Sequence, residues 1–116
     1  MPKVLVVFGS KSDDKVYNRV TKVLKQNKIE HDLKICSAHR TPEEIDNLLA
    51  VPHSVVVSGA GLSAALPGAL AAKTIRPVIG VPCMVNYLGL DSLLSIAQMP
   101  PGVPVLAVGV EFPWLR

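Results

Sequence analysis

Residues 4–14 read VLVVFGSKSDD, and this stretch decides the fold class. A short apolar run of strand length ends at a glycine, and hydroxyl and acidic side chains of the kind that open helices follow at once. Two later stretches repeat this succession: residues 33–42 read LKICSAHRTP, and residues 54–63 read SVVVSGAGLS. Short apolar runs that alternate with helical patterns predict parallel strands joined by helices.

The rest of the chain extends this alternation to five strands. We expect them at residues 3–8, 29–36, 54–58, 77–82 and 103–110. Right-handed crossovers between them predict an α/β fold with three layers, in which a flavodoxin-like, parallel five-stranded sheet carries helices on both faces. The length of 116 residues and the lack of repeats or linkers predict a single domain over residues 1–116.

The helix boundaries follow from residues that favour helix ends. A helix over residues 63–73 is expected to be interrupted near Pro67. Pro42 at the first helical position and Glu44 in a capping box are expected to support the start of the second helix. Three side chains are expected to cap helices: Ser12, Thr41 and Asp91. The buried face of the first helix is expected to carry four apolar residues: Val16, Val20, Val23 and Leu24.

The composition restricts the class of function. The chain is 49% hydrophobic and 18% charged, with a net charge of +3. This mild charge, without a long basic run, favours phosphorylated metabolites over nucleic acid as ligands. No apolar run reaches the roughly 18 residues that a membrane helix needs, and residues 1–8 lack a secretory signal. We therefore expect a cytoplasmic protein with no membrane partner.

The two cysteines, Cys36 and Cys83, are far apart and form no metal-type spacing. Free cysteines are among the most buried residue types, so we expect inert, buried thiols. No metal site is predicted.

Polar residues follow the first strand, at the edge of the sheet where ligands of such folds bind. Ser10, Ser12 and the backbone N–H groups of a helix start are suited to an anionic ligand. Asp13 has two interpretations. It is an acidic residue in the first turn of a helix, which is common, or it holds sugar hydroxyls.

The loop after the second strand carries the residues most able to do chemistry. Arg40 offers a planar, permanently charged fork for phosphate. His39 is either a surface residue or a proton-transfer group, since imidazole exchanges protons near neutral pH. Ser37 lies in the same loop. His31 and His53 lie at strand starts, at the opposite end of the sheet, and are expected to be structural.

Seven short motifs occur in order along the chain: GSKSD at 9–13, SAHRTP at 37–42, GAG at 59–61, LPG at 66–68, PVIGVP at 77–82, DSLLS at 91–95 and QMP at 98–100. Each motif is short, but all seven in this order are specific for one protein family. The chain resembles the PurE family, the N5-carboxyaminoimidazole ribonucleotide mutases of purine biosynthesis, from about Val4 to Val110.

The resemblance implies an enzyme that moves a carboxylate from the exocyclic nitrogen of an aminoimidazole ribonucleotide to a ring carbon, without metal or organic cofactor. It implies release of CO₂ in a closed pocket and recapture at the carbon. His39 would be the catalytic proton shuttle. By the same resemblance Asp13 would hold ribose hydroxyls, and Ser12 and Ser37 would support phosphate. The implied substrate-binding set is Ser10, Ser12, Asp13, Ser37, Arg40, Ala60, Gly61 and Leu66.

The chain departs from the family pattern in two places. Ala65 stands where family members usually carry a histidine that lines the pocket. Family members also usually continue beyond the fifth strand into further helices that pack on neighbouring subunits, and we expect this domain to lack that extension.

The resemblance also implies a homo-oligomer, most readily an octamer. The low charge fraction favours association, and Phe112 and Trp114 are expected to anchor an interface. The small residues of stretch 58–73 indicate either a tightly packed internal helix or a helix at a subunit contact. Two other functions stay open: an aminoimidazole ribonucleotide carboxylase that uses free CO₂, and a non-catalytic nucleotide-binding relative.

Overall fold

A computed structural model describes residues 3–110 of the chain. Five parallel strands form one sheet in the order β2-β1-β3-β4-β5. The strands are β1 Val4–Phe8, β2 His31–Ile35, β3 Val55–Ala60, β4 Val78–Pro82 and β5 Leu106–Ala107. The helices are α1 Asp14–Gln26, α2 Ile45–Leu49, α3 Leu66–Ala71 and α4 Leu90–Ala97. The predicted flavodoxin-like architecture is confirmed, because β1 lies between β2 and β3 and the later strands extend the sheet on one side.

Alternate residues of β1 face opposite sides of the sheet, and each side has its own core. Leu5 and Val7 pack with residues of α2, α3 and α4, among them Ile45, Leu70 and Ile96. On the other side Val4, Val6 and Phe8 pack with Val16 and Val20 of α1. Because all five β1 residues are buried, this strand is an apolar run without polar alternation. The helices therefore cover both faces, as predicted, and among residues 3–110 only α1 contributes helical residues to the second core.

The amino ends of β1 and β2 are joined by an ion pair. The Lys3 ammonium lies 2.7 Å from an Asp32 carboxylate oxygen. This hydrogen-bonded pair raises the pKa of Lys3 above its ordinary value and lowers the pKa of Asp32 below its own. It lies at the end of the sheet opposite the loops that carry His39 and Arg40.

Three of the predicted helix starts were wrong in detail. Ser10, not Ser12, caps the first turn: its backbone is extended, and its hydroxyl accepts from the Ser12 N–H at 3.2 Å. Thr41 occupies the cap position of a short turn over Pro42–Glu44 but makes no side-chain cap bond. Gly89, with a φ of +80°, precedes α4, which leaves Asp91 inside the first turn rather than at the cap.

Two predicted elements also have different bounds. Helix α3 begins only at Leu66, so Pro67 lies in its first turn, where a missing N–H costs nothing, and does not interrupt a longer helix. Strand β5 is limited to Leu106–Ala107, because Pro104 has no N–H to donate to the neighbouring strand. Val23, expected in the core, is 53% exposed.

No helix within residues 3–110 is long and apolar enough to cross a membrane. Both cysteines of the described residues are buried, as predicted, and they form no disulfide with each other.

Candidate active site

A cavity of about 410 Å³ lies at the carboxyl ends of β1, β2 and β3. Four loops line it, those that follow β1, β2, β3 and β4. All nine residues selected from the sequence form part of its wall: Ser10, Ser12, Asp13, Ser37, His39, Arg40, Ala60, Gly61 and Leu66. The parallel sheet explains this convergence, since the carboxyl ends of neighbouring parallel strands meet at one edge.

The loop after β1 presents two hydroxyls to the cavity. The Ser10 and Ser12 side-chain oxygens lie 2.8 Å apart and share a hydrogen bond. The Tyr17 hydroxyl donates to the Lys11 carbonyl at 3.2 Å, which ties this loop to α1. These two hydrogen bonds hold the loop in place. Its donor groups lie at the start of a helix, where anions bind favourably.

Asp13 lies between the first turn and α1 and is half-buried in the cavity wall. It precedes α1 without a side-chain cap bond to that helix. Asp13 is an acidic residue in the first turn after β1 and also lies in the cavity wall, so both interpretations of this carboxylate agree with the geometry.

The loop after β2 carries the imidazole and the guanidinium. His39 and Arg40 are both exposed and both line the cavity. The Arg40 N–H donates to the Ser37 hydroxyl at 3.1 Å, and the Thr41 N–H donates to the Ser37 carbonyl at 2.9 Å. The backbone of this loop is thus folded on itself while its two functional side chains stay open to solvent.

The loop after β3 brings bare backbone to the cavity. Ala60 is only 7% exposed, and Gly9 donates its N–H to the Gly59 carbonyl at 3.0 Å, which holds the first and third loops together. A Cβ at Gly61 would lie 2.6 Å from the Val85 side chain. Only glycine fits there without displacing Val85, so the main chain itself forms this part of the wall.

The sequence analysis missed several wall residues. Val85 comes from the loop after β4, and nothing in its local sequence indicates a site. Leu62 adopts a φ of +58°, a left-handed conformation that an apolar side chain rarely takes and that sequence patterns do not reveal. Ala65, the position at which the chain departs from the family pattern, also lines the cavity.

The other two histidines lie away from this cavity, at the amino ends of the strands. A ring nitrogen of His31 is 2.9 Å from the Ile29 carbonyl. His53 has one ring nitrogen 2.7 Å from the Val51 carbonyl and the other 3.3 Å from the Thr74 hydroxyl. These local contacts agree with the structural interpretation of both residues.

A larger cavity, of about 810 Å³, lies between α1 and the sheet. Its floor is apolar, and its polar residues are at the rim: Arg19, Lys22 and Gln26. Among the described residues that line it there is no histidine, cysteine, carboxylate or hydroxyl to act as base or nucleophile. We therefore assign the candidate active site to the cavity of about 410 Å³, although the other cavity is larger.

The wall of the smaller cavity contains the Arg40 guanidinium, the His39 imidazole, serine hydroxyls and the main chain of Ala60 and Gly61. Within residues 3–110 no group of three or more His, Cys, Asp or Glu side chains is arranged to hold a metal ion. The arrangement is suited to a small phosphorylated molecule that undergoes proton transfer.

Comparisons with known proteins agree with this assignment. The sequence model of a family described as AIR carboxylase matches residues 3–113. An N5-carboxyaminoimidazole ribonucleotide mutase from Pyrococcus abyssi is 48% identical over 116 residues, 96% of this chain and 67% of the relative. The enzyme of that name from Saccharolobus solfataricus is 46% identical and is covered over 73% of its length.

A crystal structure of Treponema denticola PurE superposes with a TM-score of 0.81 at 27% identity, covering 96% of this chain and 73% of the other. The matched family spans nearly the whole described chain, and the relatives exceed 40% identity over almost all of it. The chain belongs to the AIR carboxylase family.

Proposed function

We propose that this chain is an N5-carboxyaminoimidazole ribonucleotide mutase of purine biosynthesis. It would move a carboxylate from the exocyclic nitrogen to a carbon of the imidazole ring. The observation that carries the proposal is the convergence on one cavity of the nine residues that the sequence and the family resemblance indicated, in a chain whose relatives bear that name.

Substrate binding is assigned to the two polar loops. Arg40 and the hydroxyls of Ser12 and Ser37 take the phosphate, because a guanidinium and donor groups near a helix start complement its charge. Ser10 supports the same end of the ligand. Asp13 accepts hydrogen bonds from the ribose hydroxyls, which is consistent with its place in the cavity wall.

Proton transfer is assigned to His39. When the carbon–nitrogen bond of the carbamate breaks, CO₂ leaves and the nitrogen takes a proton from the imidazolium. The ring carbon then attacks CO₂ and forms the new carbon–carbon bond. Its hydrogen is lost as a proton to the neutral imidazole, so one proton is given and one is regained. His39 is exposed in the wall, where a bound ring could meet it.

The third loop would hold the base and exclude water. Ala60 and Gly61 offer main chain at close range, and the fully packed Leu66 closes the wall behind them. CO₂ that is released in such a site must be recaptured before it escapes or becomes hydrated, so a small and dry pocket is required. Phosphate binding at the remote end supplies energy that positions the ring.

The active form is proposed to be a homo-oligomer in the cytoplasm that works without metal or organic cofactor. The lack of a cofactor rests on the family resemblance, the oligomer on that resemblance together with the low charge fraction, and the location on the sequence, which has no long apolar run and no secretory signal. The Phe112 and Trp114 side chains, which were expected to anchor an interface, lie outside the described residues.

One observation favours a second candidate, a nucleotide-binding relative without catalysis. Ala65 lines the cavity at the position where the family pattern has a histidine. If that histidine is required for the reaction, this chain would bind the ribonucleotide and leave it unchanged.

The test is a turnover assay on the purified protein with the nitrogen-carboxylated ribonucleotide, followed by the appearance of the carbon-carboxylated product. The proposal expects turnover that does not depend on added bicarbonate. Turnover of the uncarboxylated ribonucleotide that requires bicarbonate would assign the carboxylase reaction instead. Binding of the ribonucleotide without any product would favour the non-catalytic relative.

A further inference from the structure

The loop that carries His39 and Arg40 is closed by the side chain of one threonine. The Thr41 hydroxyl oxygen accepts the Ser37 N–H at 3.3 Å and donates to the Ser37 carbonyl at 3.3 Å. A single hydroxyl thus bonds both backbone groups of the residue that begins the loop. Together with the Thr41 N–H bond to the same carbonyl, it makes a ring of five residues with His39 at its centre.

Helix capping does not explain this hydroxyl. Thr41 precedes the turn over Pro42–Glu44, and a capping hydroxyl would accept an N–H from that turn. It makes no such bond. Its hydrogen bonds point back to Ser37, so the hydroxyl serves the loop that precedes it and not the helix that follows.

The threonine is also supported from the core side. The Cys36 thiol, only 2% exposed, is 3.5 Å from the Thr41 carbonyl and 3.8 Å from the Thr41 hydroxyl. Ser37, His39 and Arg40 are among the residues that line the cavity, and Thr41 is not. An effect of Thr41 on a ligand must therefore pass through the loop.

We propose that Thr41 is a positioning residue, whose hydroxyl fixes the backbone from which His39 and Arg40 reach the ligand. The proposal rests on the function proposed above for this cavity. Small displacements of a proton-transfer group are costly to catalysis, so loosening the ring should reduce turnover although no ligand contact is lost.

The test compares Thr41→Val, which removes the hydroxyl and keeps the shape, with Thr41→Ser, which keeps the hydroxyl. We expect kcat/KM for the nitrogen-carboxylated ribonucleotide to fall about 10–100-fold in Thr41→Val and to stay within about threefold of wild type in Thr41→Ser. The matched control is Thr21→Val on α1, where a partly buried threonine hydroxyl donates to the Asn18 carbonyl at 3.1 Å, away from the cavity. Its kcat/KM should be unchanged.

A second readout keeps the inference separate from the proposed reaction. Amide hydrogen exchange of Ser37 and Arg40 should be at least about tenfold faster in Thr41→Val than in wild type, and normal in Thr41→Ser. If the wild-type protein shows no turnover, the proposed function fails, and the exchange rates alone decide the role of Thr41.

Any one of four results would overturn the inference. Three of them are unchanged exchange in Thr41→Val, equal losses of activity in the Val and Ser variants, and an equal loss in Thr21→Val, which would mark general destabilisation. The fourth is wild-type activity in Thr41→Val.

Discussion

His39 is the residue on which the proposed chemistry depends. Its ring lies in the cavity wall, on a loop whose backbone is held by Ser37 and Thr41. The other two described histidines have local structural contacts at the far end of the sheet. This separation allows the role of one imidazole to be tested against another in the same chain.

We expect His39→Asn to lower kcat by about 10²–10⁴-fold, the usual contribution of a general acid–base group, while the ribonucleotide still binds. The measurements are steady-state kinetics for kcat and calorimetry for binding. His31→Asn is the control and should leave kcat unchanged. A loss of less than about tenfold in His39→Asn would remove this residue from the proton-transfer role.

Arg40 is expected to act on binding and to distinguish two related ligands. Arg40→Ala should weaken binding of the ribonucleotide by about 1.5–3 kcal/mol, the value of a charge-assisted hydrogen bond, and leave the dephosphorylated ribonucleoside nearly unaffected. Calorimetry with both ligands measures the difference. Arg76→Ala, an exposed arginine outside the cavity wall, is the control. Equal losses for the two ligands would show that Arg40 does not contact phosphate.

At the scale of elements, the junction of β1 and β3 brings the first and third loops together. Phe8 and Gly59 are direct neighbours in this parallel pair, and the buried Phe8 ring lies across the glycine. A Cβ at Gly59 would overlap that ring. The ring has little freedom to move, because it is fully buried and packs edge-on against Tyr17 at a centroid distance of 5.7 Å.

Gly59→Ala should therefore destabilise the protein by about 1–3 kcal/mol, the usual cost of overpacking a core. Chemical denaturation monitored by circular dichroism gives the free energy of unfolding. Gly9→Ala is the matched control, since its new Cβ would lie 3.6 Å from the Ala60 Cβ, an ordinary contact. If both variants are equally stable, the close packing of Phe8 on Gly59 is not a constraint.

The sequence predicted the parallel, flavodoxin-like sheet and the three loops of the site because each depends on local pattern and on general rules of chain connection. An apolar run followed by a small-residue loop is visible without the structure, as in residues 4–14. Side-chain caps were not predictable in the same way. The hydrogen-bond partners that a threonine hydroxyl can reach are set by the folded chain. The Thr41 hydroxyl bonds Ser37 and makes no bond to the turn that follows it.

Contacts between segments that are distant in the chain were the second feature that could not be predicted from the sequence. Val85 lines the cavity only because β4 lies beside β3, and its fit against Gly61 depends on that pairing. This contact is not encoded in a short stretch of residues.

At the scale of the whole molecule, apolar side chains are exposed beside the candidate site. We call them the 85–94 patch, and they are strongly exposed: Val85 57%, Tyr87 79%, Leu88 85%, Leu90 54% and Leu94 46%. Exposed apolar groups that lie so close together in the chain are typical of interaction sites. Because Val85 belongs to both the patch and the cavity wall, a subunit that covers the patch would lie next to the site.

We therefore expect a homo-oligomer, with an octamer as the form that the family resemblance implies. Light scattering at micromolar concentration should give a multiple of the 12.4 kDa chain. Leu88→Asp should lower that mass, whereas Ile75→Asp, on an exposed residue outside the patch, should not. A monomer at this concentration contradicts the prediction, and an unchanged mass for Trp114→Ala would show that Trp114 is not needed for assembly.

The central claim is that the cavity at the ends of β1, β2 and β3 transfers a carboxylate within one bound ribonucleotide. Substrate labelled with ¹³C in the nitrogen-bound carboxylate, incubated with the protein in unlabelled bicarbonate, tests it most directly. We expect the carbon-bound carboxylate of the product to retain the ¹³C, because the released CO₂ is recaptured in the pocket. Loss of the label to solvent bicarbonate, or no product at all, would contradict it.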